Sequence, residues 1–167
     1  MKKMGYLLSI IAASFFLTGC PYESTVPIDR PTVKYPASIL GKWEPKSSSD
    51  DLYIITKKDD YTIIITKTKK EMKADDKPEV YEAFLSDVGS IKFLNLYEKQ
   101  EEADGSKKFY LYKLEISTSG ARLTLSEITE NVDEKFESSA ALKSFIEKNM
   151  MHSFFFGKED EVYIKAE

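Results

Sequence analysis

Cysteine and histidine are nearly absent from this 167-residue chain, which holds one of each, Cys20 and His152. A single cysteine excludes an internal disulfide, so the fold has to be held by apolar burial. A nucleophilic triad, or a zinc site of several His or Cys ligands, lacks its parts. Asp59-Asp60 and Asp75-Asp76 lack the alternating oxygen ligands of a calcium loop and read as a hairpin turn and a solvated loop. No catalytic residue, metal site or cofactor is therefore expected. Charge of one sign is also missing: 24 basic residues face 28 acidic ones, dispersed along the chain, and no basic stripe marks a nucleic-acid surface. The one long apolar run, Tyr6 to Leu17, has twelve residues, short of the roughly 20 a spanning helix needs.

That run has a different meaning in its setting. Lys2 and Lys3 precede it and Leu17-Thr18-Gly19-Cys20 follows it, the arrangement of a bacterial lipoprotein signal with its cleavage box. Residues 1–19 are then removed and Cys20 becomes a lipidated N-terminus, a multi-chain anchor that holds the protein on a membrane of the cell envelope. Loss of Lys2 and Lys3 leaves 22 basic against 28 acidic residues, a net charge of −6. Residues 20–38 carry prolines at 21, 27, 31 and 36 among polar residues and read as an extended, poorly packed tether. Fully extended, it would lift a domain about 50 Å off the bilayer. Residues 39–167 suffice for one domain and are too few for two.

Within that domain, short β-type runs alternate with turn chemistry. Strands are predicted at 39–45, 51–57, 61–67, 79–86, 91–98, 108–116, 121–128 and 161–166. Ala141, Leu142, Phe145, Ile146 and Asn149 recur at helical spacing behind Ser138 or Ser139, which predicts one helix over 139–150. Tyr110, Tyr112, Leu114 and Ile116 share one strand face, as do Leu123 and Leu125. The 52–55 and 91–97 runs are apolar on both faces, so an outer cover is expected, with the helix as candidate. Connections alternate in length. Lys58–Asp60, Asp87–Ser90 and Ser117–Gly120 are tight, whereas Lys46–Asp50, Thr68–Pro78, Lys99–Lys107 and the stretch after Ile128 are long. One end stitched shut and one ringed by loops is the layout of a mainly β, single antiparallel up-and-down barrel of about eight strands, with a C-terminal helix before the last strand.

Gly41-Lys42-Trp43 at the first strand, Val80 to Tyr97 with its Phe93-Leu94-Asn95-Leu96 run, and the strand inventory resemble lipocalin-like small bacterial lipoproteins. The resemblance covers residues 39–167, in layout more than in motif. It implies that Gly41 and Trp43 plug the closed end and that Arg122 is the arginine packed over the tryptophan. It also implies a small apolar ligand at the open end, with the inward Tyr110 and Tyr112 as lumen candidates among ten tyrosines. Phe154-Phe155-Phe156 reads as core and barrel-cap packing, with a membrane or partner anchor as the alternative. Ser117-Thr118-Ser119-Gly120-Ala121-Arg122 resembles the Ser-Gly loop of periplasmic lysozyme-inhibitor lipoproteins, without their cysteine pair. The second functional reading is accordingly an inhibitor that binds an envelope protein through the barrel surface.

Overall fold

A computed structural model describes residues 22–47, 49–98, 107–129 and 132–167. Cys20 and the leader before it lie outside the described residues, as do Glu101, Glu102 and Asp104 of the third long connection.

The chain runs through β1 (Glu23–Ser24), a 3-10 turn (Ala37–Ile39), β2 (Gly41–Pro45), β3 (Asp51–Lys57), β4 (Thr62–Lys69), β5 (Glu79–Val88) and β6 (Ile91–Glu98). It continues through β7 (Phe109–Ile116), β8 (Arg122–Glu127), α1 (Ser139–Asn149) and β9 (Glu161–Lys165). Strands β2 to β9 pair in sequence, all antiparallel, and β9 returns to β2, closing an eight-stranded barrel. Every predicted strand and the helix is present, with ends moved by a few residues. β1 is additional. It pairs Glu23 with Tyr110 and Ser24 with Phe109, on the part of β7 that lies beyond the reach of β8.

The two ends differ as their connections require. Gly89 and Gly120 take positive φ (58° and 69°) in the tight turns of the closed end. Asp59 Oδ1 accepts from the backbone N–H of Tyr61 and Thr62, bracing the β3–β4 turn. The long connections leave from the opposite end, and the last of them carries α1 back along the outer wall, where Met150 reaches the Gly89 turn.

Alternation along the strands builds two cores. Inside the barrel, Trp43, Ile55, Ile63, Ala83, Leu85, Leu94, Leu114 and Leu123 pack together. Outside it, Phe84, Val88, Phe93, Phe109 and Leu111 project from β5, β6 and β7 into a second cluster with Leu142 and Ile146 of α1 and with Phe155. The helix starts at an N-cap, Ser138, whose Oγ accepts from the Ala141 N–H (3.3 Å). It covers the outer face of the 91–97 run as expected. It does not cover 52–55: Leu52 and Ile54, on the far wall, stay half-buried and belong to neither cluster.

The expected spacer is not one over its described length. Tyr22 and Ile28 are buried in the outer cluster, Ile28 at 0% exposure, and Val33 bridges to Leu85. Fully burying one such side chain contributes about 1.5–3 kcal/mol toward offsetting the chain entropy lost when the segment is ordered. Asn95 fixes it in place. Its Oδ1 accepts from the Ile28 N–H (2.8 Å), while its Nδ2 donates to Ser86 Oγ (2.9 Å) and to the Phe84 carbonyl (3.3 Å). A fully buried amide of β6 thus has its hydrogen bonds satisfied by β5 and by the strap.

Candidate functional site at the barrel mouth

The closed end is solid. Trp43 is fully buried, and its indole Nε1 donates to the Ile39 carbonyl (2.8 Å). The cation over its ring is Lys165 Nζ, 5.3 Å from the centroid, which also donates to the Ser38 carbonyl (2.8 Å). This corrects the role implied for Arg122, which lies exposed on the outer face of β8. The physical reason is register: β9 pairs with β2 so that Lys165 stands opposite Trp43, whereas Arg122 pairs with Ile164 and shares its outward face. Gly41 is required here twice over. Its φ is +124°, and a Cβ would come within 3.2 Å of Lys165 Cε.

Above this plug the barrel opens into a cavity of about 270 Å³ lined by Tyr53, Tyr81, Tyr110, Tyr112 and Tyr163 over a floor of Ile65, Leu94, Leu96 and Leu125. Both lumen candidates, Tyr110 and Tyr112, are among them. The other three are brought in by β3, β5 and β9, each at an inward position of its strand. Tyr53 and Tyr163 meet edge to face with ring centroids 5.1 Å apart. A larger cleft of about 570 Å³ continues over the lip between β2 and β9, sharing Tyr53, Glu161 and Tyr163 and adding Asp51, Glu127, Glu159 and Asp160.

The phenols of the cavity stay protonated. Burial, then the neighbouring Glu161 and Glu127 charges, pushes the Tyr112 hydroxyl far above its ordinary range. Tyr163 is raised in the same way by burial and by Glu161, the carboxylate its hydroxyl donates to. Tyr81 is raised by burial and by Glu79, which accepts its hydroxyl proton at 2.5 Å. Burial opposes the charge of Lys67, but the hydrogen bond to Glu79 (3.2 Å) and the nearby charges of Glu79 and Asp51 together outweigh it and hold the ammonium above its ordinary value. Further ion pairs on the rim, Lys69–Asp51 and Lys70–Glu44 (2.7 Å), answer lysines with carboxylates. The cup is thus apolar and aromatic in its walls, with hydroxyl donors, while its lip toward β9 gathers the carboxylates of Glu127, Glu159, Asp160 and Glu161.

The remaining candidates lie elsewhere. Asp60 pairs with Lys57 (2.7 Å), and Asp76 accepts from the Lys73 N–H (2.8 Å), so both acidic doublets serve their own turns. No group of three or more His, Cys, Asp or Glu is placed to hold a metal among the described residues. His152 is exposed and stacks on Phe154 at 5.3 Å. Phe155 is buried in the outer core and Phe156 stacks on Phe93 (6.2 Å), whereas Phe154 faces solvent. The Ser-Gly turn is braced internally, with Ser117 Oγ accepting from the Arg122 N–H (3.0 Å). No helix among the described residues is long and apolar enough to cross a membrane.

Set against protein-family models, curated proteins and solved structures, the chain matches none of them.

Proposed function

We propose that this protein is a lipid-anchored, noncatalytic, lipocalin-like barrel of the bacterial cell envelope that binds a small apolar ligand at its mouth. The observation that carries this reading is the asymmetry of the interior: a packed, tryptophan-plugged end beneath a cup lined by five tyrosines. The cup's volume falls just short of the roughly 300 Å³ at which ordinary ligand sites begin. Its occupant is therefore small, or extends over the lip into the adjoining cleft. Five rigid amphipathic rings over a leucine floor suit an apolar or aromatic body carrying one hydrogen-bonding group. The anchor rests on the Lys2–Cys20 signal.

A fluorescent fatty-acid probe tests the ligand half of the reading. It should bind the Cys20→Ala protein saturably and with weak salt dependence, because the walls that would hold it are aromatic and aliphatic, and Tyr112→Ala should change its affinity. Binding that collapses as salt is raised to physiological strength would instead indicate a charged surface site. No binding by any apolar probe would move the assignment to an envelope protein held on the barrel surface. For the anchor, palmitate should label the wild type and not Cys20→Ala. Equal labelling of both would remove it.

A further inference from the structure

Met151 and Phe154 are the most exposed large apolar side chains among the described residues, at 80% and 58%. They stand three residues apart in the link between α1 and β9, and that link is firmly held. The Phe155 N–H donates to the His152 carbonyl (3.1 Å), the Thr129 N–H donates to the Phe155 carbonyl (3.0 Å), and the Phe155 ring is fully buried. Phe154 is therefore held outward by the anchorage of its neighbour. Isolated exposed apolar residues need no explanation, but two of them on a braced link form a small, fixed protrusion.

The position of this protrusion gives it meaning. The Tyr22 N–H donates to the Ile128 carbonyl (3.5 Å), and Ile128 is bridged to Phe156. The described chain thus begins beside the segment that meets the link carrying the protrusion. Cys20 precedes Tyr22 by two residues, a span of at most about 7 Å. Tyr22 is buried and its hydroxyl is bonded to the Glu134 carbonyl (2.8 Å), so the acylation point lies within that reach of a residue fixed on the barrel.

We infer that Met151 and Phe154 are a second, noncovalent membrane contact, seated in the headgroup and acyl boundary next to the acyl chains of Cys20. This inference rests on the lipid-anchor reading. Glu147, Lys148, Lys158 and Glu159 flank the protrusion with mixed charge, so its insertion is apolar and needs no anionic lipid. Two attachment points fix the barrel's orientation, which one flexible tether would not.

The test uses the mature acylated protein in phosphatidylcholine vesicles. Acylation consumes the only native thiol, so Phe154→Cys supplies a unique site for an environment-sensitive fluorophore. Asp60→Cys, in the β3–β4 turn across the barrel, supplies the reference. The label at 154 should emit at shorter wavelength and be quenched by lipid-borne nitroxides, while the label at 60 should be quenched by aqueous iodide alone. An acylated protein whose two labels behave alike overturns the membrane contact and leaves the anchor standing. Absence of the acyl mass on Cys20 overturns both.

Discussion

Trp43, Lys165 and Asn95 show how much of this barrel depends on single side chains. Trp43→Ala should cost about 3–5 kcal/mol, the usual loss for truncating a large buried aromatic, and the wild-type tryptophan should fluoresce at short wavelength. Denaturant melts of paired variants separate the two cations proposed for its cover. Lys165→Met should lose about 1–2 kcal/mol with its hydrogen bond and its place over the indole, while Arg122→Met should stay within about 0.5 kcal/mol of wild type. Equal effects would return Arg122 to the plug. Asn95→Leu keeps the volume but leaves the buried Ile28 N–H and Ser86 Oγ without their partner, and should cost about 1–3 kcal/mol. Trp43 and its glycine were readable in the chain because Gly41-Lys42-Trp43, at the opening of the first strand, resembles the Gly-x-Trp signature of lipocalins. Lys165 was not, because what places it over Trp43 is the pairing of the last strand with the first. Nothing local to Glu161–Lys165 encodes that register.

Periodicity found the strands and the helix because each has a wet face or a clear stop, and it failed where a segment has neither. The stretch from Tyr22 to Pro36 has prolines and polar residues but no repeating apolar face, so composition alone made it a spacer. Its buried residues, Tyr22 and Ile28, are spaced for a strap across a curved surface, and only the outer faces of β5, β6 and β7 explain them. A protein starting at Pro36 should therefore be destabilised by about 3–6 kcal/mol, counting those two side chains alone, and should bind a dye for exposed apolar surface. Unchanged stability and no dye binding would restore the tether. The both-sides-apolar runs were a fair guide for β6, whose outer face the helix and strap cover. They misled for β3, where the barrel wall curves away from both.

The barrel as assembled concentrates its tyrosines at one end. Five of the ten, Tyr53, Tyr81, Tyr110, Tyr112 and Tyr163, line the mouth, although in the sequence they are scattered over four strands. Only Tyr110 and Tyr112, two apart on one strand, could be grouped by alternation, and gathering the rest takes the closed topology. Their burial has a measurable consequence in alkali. Tyr53, Tyr81, Tyr112 and Tyr163 are all raised above the ordinary phenol value of 10.0, with burial the largest cause in each case. The unfolded chain therefore loses these protons first. The stabilisation they represent is intact below pH about 10 and falls as pH rises from there toward the folded values. Absorbance at 295 nm and far-ultraviolet dichroism should show these phenols ionising together with unfolding; independent ionisation in a folded barrel would mean the cup is open to water.

Ligand binding at the mouth is the central claim, and tyrosine-selective NMR of the Cys20→Ala protein, labelled on tyrosine and titrated with a small apolar aromatic probe, tests it most directly. The account expects saturable shifts of Tyr53, Tyr81, Tyr110, Tyr112 and Tyr163, with Tyr22, Tyr35, Tyr61 and Tyr97 unmoved. Shifts confined to that second group, or none at saturating probe, would contradict it.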